Sequence, residues 1–175
     1  MILRKIVHAT SKVLAVVGAI LVAAIMVMIT FDVAARNLGI QTIRGTSEIA
    51  EVMLVGAAFL TLPYAMQVGG HVATSFVSDR LPPRLARWLE FVGMLVVLGV
   101  LIWFSYEAVL RAIASVSAGE TRFGVREVAI WPGRVALAVG TVALTLEVVV
   151  RCVDLARGKK VEKESADDLP DRAYL

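Results

Sequence analysis

The amino-acid sequence predicts an all-α integral membrane protein of four transmembrane helices, both termini cytoplasmic, joined by short amphipathic loop segments. Three observations carry this. Hydrophobic residues make up 58% of the 175 and charged residues only 19%, with a mean hydropathy of +0.78. Soluble domains are about 25% charged, and a chain this short cannot bury so much apolar surface in one core, so lipid is the better solvent. Four runs contain no Asp, Glu, Lys or Arg: 13–31, 52–70, 91–106 and 135–146. The basic residues, finally, divide unequally between the two sides that four spans define.

The first run approaches the ~20 residues a helix needs to cross ~30 Å of hydrocarbon. Arg4, Lys5 and Lys12 precede it like the charged start of a signal peptide, but its apolar length exceeds the 7 to 15 residues of a signal core and marks an anchor. The second run is equally long. The third and fourth need their flanks, admitting Glu107 to one and Arg134 and Glu147 to the other; long side chains near a helix end can reach the headgroups. The expected spans are about 13–34, 49–70, 89–110 and 131–152, within one membrane domain, 1–158. The polar, mixed-charge tail 159–175 reads as disordered.

Acid precedes base by four residues at three span ends, in Asp32 and Arg36, Glu107 and Arg111, and Glu147 and Arg151. That order favours an ion pair on a helix and sets Arg against the negative end of its dipole. Small residues spaced by four, Ala15, Ala19 and Ala23 in span one and Ala136 and Gly140 in span four, are candidate close-packing stripes.

Twelve basic residues (Arg4, Lys5, Lys12, Arg80, Arg84, Arg87, Arg151, Arg157, Lys159, Lys160, Lys163 and Arg172) fall with the termini and the middle loop. Five, Arg36, Arg44, Arg111, Arg122 and Arg126, fall on the other side, and the positive-inside rule then puts both termini in the cytoplasm. In the first outer loop, Thr46 or Ser47 is placed to cap span two, with Glu48 and Glu51 complementing its positive end. Pro82 and Pro83 stop any helix arriving from span two and open a short basic turn along the headgroups. Trp131 suits the interface and Pro132 the first turn of span four.

The chemistry-bearing patterns are missing. The sequence has no phosphate-binding P-loop, no Gly-x-Ser-x-Gly elbow, no HExxH and no CxxC. One cysteine, Cys152, excludes an internal disulfide, and the loops are too short to house a catalytic pocket, so an enzyme is not expected. No metal or other cofactor is expected, although His8 and His71 leave a haem site near the cytoplasmic surface open. The basic residues are spread over several loops and do not suggest nucleic acid. No acid falls near the middle of a span, so the chain has little with which to bind a coupling ion or substrate.

From Phe31 onward the sequence resembles the small membrane subunit of tripartite ATP-independent periplasmic (TRAP) transporters, the DctQ-like small permease. The likeness lies in Asp32-Val33 with Arg36-Asn37, Glu48, Gly56-Ala57-Ala58, Gly70-His71-Val72, Leu81-Pro82-Pro83 and Ile130-Trp131-Pro132. It covers nearly the whole chain to about Arg157, and its order and spacing are more specific than any one motif. In the family pattern an Asp follows the His by four positions; here that position is Ser75, so whatever the Asp does is not carried over. The resemblance implies a scaffold in the bacterial inner membrane. Its obligate partner would be a large subunit that moves sodium ions and an organic acid, and a periplasmic substrate-binding protein would dock transiently. Arg36, Glu48 and His71 match the pattern, and Arg36, Arg44, Arg122 and Arg126 are candidates for steering the docking protein, with Glu48, Glu51 and Trp131 as further structural or interface positions. Solvating the outer surface or binding lipid phosphate is an equal alternative for the arginines. A stand-alone homo-oligomeric transporter and a haem-binding anchor of a respiratory enzyme remain rival readings.

Overall fold

The computed structural model describes residues 2–40, 45–68, 83–122 and 127–156. Helices α1 (Ile2–Asn37), α2 (Thr46–Val68), α3 (Pro83–Ala118) and α4 (Trp131–Ala156) account for nearly all of them. Each is long and apolar enough to cross a membrane. Between α3 and α4 lies a feature the sequence did not suggest, a two-stranded antiparallel ribbon of β1 (Thr121–Arg122) and β2 (Val128–Ala129), with Thr121 opposite Ala129.

The helices continue past the charge-free runs because their ends are built locally. Pro83 is the first residue of α3, so Arg84 and Arg87, expected in a separate basic turn, lie instead in the third helix; the rest of that stretch falls outside the described residues. Gly39 and Gly119, both at positive φ, end α1 and α3. After each, amides bond back to the last turn, Ile40 to Ala35 and Glu120 to Ser115, a glycine-based stop that uses the left-handed conformation only glycine adopts freely. The Ile49 amide bonds to the Gly45 carbonyl, so Gly45, not Thr46 or Ser47, occupies the cap position of α2.

The four helices form a row, α1 on α2, α2 on α4 and α4 on α3, with a smaller direct contact between α1 and α4. The packing follows a seven-residue repeat. On α1 the inward positions are Val7, Ser11, Leu14, Gly18, Leu21, Ile25, Met28, Asp32 and Ala35, alternating steps of four and three. On α3 they are Met94, Leu98, Leu101, Ser105, Ala108, Ala112 and Ser115. This is the spacing of helices that pack at a shallow left-handed angle. Ala19 and Ala23 fall outside it and are exposed, so the Ala15, Ala19, Ala23 stripe is not the contact; Gly18 is. A Cβ on Gly18 would lie 2.6 Å from the Thr61 methyl and 3.1 Å from the Ala57 carbonyl of α2.

The α4 stripe does make contact, and it reaches further than Ala136 and Gly140. Gly133 lies against Val52, Ala136 against Gly56 and Gly140 against the backbone of Phe59. Pro63, buried within α2, has no amide to bond the Phe59 carbonyl four residues earlier. That carbonyl instead faces the hydrogen Gly140 carries in place of a side chain, an arrangement of the Cα–H to O=C type that recurs where helices touch. Serine and threonine join the other seam: Ser105 of α3 and Thr145 of α4 share a hydrogen bond of 2.9 Å.

Candidate functional site

Polar side chains concentrate at the two ends of the bundle. At the end bearing the β-ribbon, Asp32 is buried on α1 and accepts hydrogen bonds from Arg36 (2.8 Å) and from the Thr46 hydroxyl of α2 (3.3 Å). The expected Asp32–Arg36 pair is therefore formed, and it also ties α1 to the start of α2. Its guanidinium remains 69% exposed. Glu48 stands in the first turn of α2, where its charge complements the helix dipole.

Arg122, on β1, forms an ion pair of 2.8 Å with Glu51 of α2, both side chains being more than half exposed. The hydrogen bond and charge of Glu51, helped by Glu48, push the Arg122 pKa up from its already high ordinary value. Arginine is cationic throughout the physiological range in any case, and a contact this exposed is one that salt screens. Glu120 and Arg134 pair through both oxygens and both terminal nitrogens, at 2.9 Å each, closing the base of the ribbon on α4. Trp131, 41% exposed, is the first residue of α4. Arg36, Glu51, Arg122 and Trp131 thus share one end of the molecule. Arg44, His71 and Arg126 lie outside the described residues, as do Ser75, Pro82 and the tail.

The opposite end holds what the sequence reading missed. Glu147 does not pair with Arg151 as its spacing suggested. Its carboxylate is buried on α4 and turns toward α1, accepting from Ser11 Oγ at 2.6 Å and from His8 Nδ1 at 3.1 Å. Arg151 instead donates to the Met66 carbonyl of α2 at 3.3 Å. The physical reason is register: Glu147 follows Gly133, Ala136 and Gly140 in the same seven-residue pattern, so it points into the helix contact, where a serine and a histidine meet it. Inside the bundle a carboxylate takes short bonds from buried donors over a pair with a partly exposed neighbour. The Glu107–Arg111 pair is present but loose, at 3.8 Å on the surface.

Most of the apolar surface is uncovered. Along α1, Val13, Val16, Ile20, Met26 and Val27 are all more than half exposed. An open furrow of about 710 Å³ runs between α1, α3 and α4, lined by Leu14, Val109, Ala112, Ile113, Val139 and Leu146 among others. Among the described residues no group of three His, Cys, Asp or Glu gathers to hold a metal ion.

Four long apolar helices wrapped in exposed aliphatic side chains define a multi-pass membrane protein. The chain matches the family described as tripartite ATP-independent periplasmic transporters, DctQ component, over residues 25–158. It belongs to that family, the small permease component of TRAP transporters. No curated protein matches it.

Proposed function

We propose that this chain is the static scaffold of its transporter, seated in the bacterial inner membrane with both termini cytoplasmic. There it holds a large transport subunit and helps dock a periplasmic substrate-binding protein during sodium-coupled uptake of an organic acid. The family membership over residues 25–158 carries this reading. Physical support comes from the exposed face of α1 and the furrow beside α4. Both offer close apolar contact to another membrane protein, where helix association depends on van der Waals fit. The basic bias toward the terminal end supports the orientation. With Cys152 changed to Ser, a cysteine placed at Glu127 is expected to react with an impermeant maleimide from outside intact cells; labelling only after lysis would reverse the topology.

Docking belongs to the ribbon end, where Arg36 and Arg122 sit and to which Arg126 is adjacent in sequence. Charge there sets encounter rate more than final affinity. Changing Arg122 and Arg126 together to Glu is expected to raise the binding-protein concentration needed for half-maximal uptake by about tenfold, or about 1.4 kcal/mol. Because Arg122 also pins the ribbon to Glu51, a second variant separates the two roles. Arg122→Glu with Glu51→Arg restores the pair with its polarity inverted. If uptake at limiting binding protein is normal in the first variant, docking by these arginines is refuted; if only the swapped pair is normal, Arg122 acts by holding the ribbon.

A further inference from the structure

The hydrogen bonds at the terminal end specify a protonation state, and with it a response to pH that is independent of the transporter role. His8 Nδ1 lies 3.1 Å from each oxygen of Glu147, so that nitrogen carries the proton and donates. On the other side of the ring, Arg4 Nε donates to His8 Nε2 at 3.1 Å, which requires Nε2 to be bare. A guanidinium has no acceptor to offer in return. These bonds are those of an Nδ1–H ring with a bare Nε2, and Arg4 spans from that ring to Asp154 of α4, with which it forms an ion pair of 3.7 Å.

A proton taken from solvent onto Nε2 would set two N–H groups against each other, on two cations. Arg4 must then leave the ring. Asp154 is the acid already beside it, while His8, now charged, keeps Glu147. We infer that His8 is a proton-operated switch for Arg4: acidification breaks its bond to the ring within α1 and leaves Arg4 wholly to Asp154 of α4, with which it already pairs loosely at 3.7 Å, and so tightens the first turns of α1 onto the bundle. The groups around the ring are compatible with this. Ser11 donates to Glu147; Lys5 and Lys12 are exposed on α1; Arg151 is engaged with Met66; and in the half of α2 facing this part of α1, Tyr64 alone among the described residues can titrate.

The test uses the full chain in lipid nanodiscs. With His71→Gln, His8 is the sole histidine, and imidazole ¹⁵N signals report its form. At about pH 8 the Nδ1–H tautomer is expected, whereas an unconstrained ring favours Nε2–H; finding Nε2–H overturns the inference. In a separate chain with Cys152→Ser, a spin label at Ile6, which is 57% exposed, is expected to lose mobility as the pH falls from about 8 to about 5. The change should vanish in His8→Gln and in Asp154→Asn. An unchanged label in the parent, or an equal response in either variant, overturns the switch. Asp154→Asn keeps the test available should His8→Gln fail to fold.

Discussion

Gly140→Ala is expected to destabilise the bundle by about 3 kcal/mol, the upper end for inserting a methyl where packing leaves no room. Its new Cβ would fall 2.6 Å from the Phe59 carbonyl carbon, closer still to the oxygen, and 3.1 Å from the Phe59 Cβ. Neither helix backbone can yield without opening the α2–α4 seam, on which α1 and α3 are hung from either side. The same substitution at Gly99, where nothing lies within 4 Å, should be neutral or stabilise by up to about 1 kcal/mol, because alanine restricts the unfolded chain. Titrating both variants with SDS in mixed micelles and following helix loss measures the contrast. A difference between them below about 1 kcal/mol would mean that the two helices are not in contact at Gly140.

The second large effect is expected at Glu147. Replacing it by alanine leaves Ser11 Oγ and His8 Nδ1 facing a gap in place of a carboxylate and should cost about 3 kcal/mol. Glu147→Gln keeps the volume and one acceptor and should cost less. Glu107→Ala, which removes the loose surface pair with Arg111, is expected to change stability by no more than about 0.5 kcal/mol. The two glutamates look alike in the sequence, each four residues before an arginine. Equal losses at both would show that Glu147 is an ordinary boundary residue. Gly140 and Glu147 are seven residues apart, about 10 Å along a helix, so the two losses should add in the double variant.

What could be read beforehand follows the kind of interaction involved. Transmembrane helices declare themselves through composition and length, since each must satisfy its own backbone in lipid without help from its neighbours. The Asp32–Arg36 pair was legible for the same reason: its partners belong to one helix, and their spacing alone brings them together. Glu147 and Arg151 have identical spacing, yet the carboxylate went to Ser11 and His8, far away in sequence. One signal was available, the seven-residue register that Glu147 shares with Gly133, Ala136 and Gly140. In α1 the same register distinguishes Gly18 from the alanines, which a search for small residues spaced by four passes over. Arg122 was singled out for its charge, but nothing local pointed to Glu51 as its partner.

By itself, then, the amino-acid sequence determined that the chain lives in lipid as four helices and which family they belong to, because these properties depend on local composition and ordered short motifs. Only the tertiary structure decided the row order of the helices, the seat of Gly140 against the carbonyl that Pro63 leaves unbonded, and the joining of His8, Ser11 and Glu147. In a chain this apolar nearly every helix face is greasy enough to be buried. Hydrophobicity therefore cannot choose among pairings, and shape at a few glycines with hydrogen bonds at a few polar groups makes the choice.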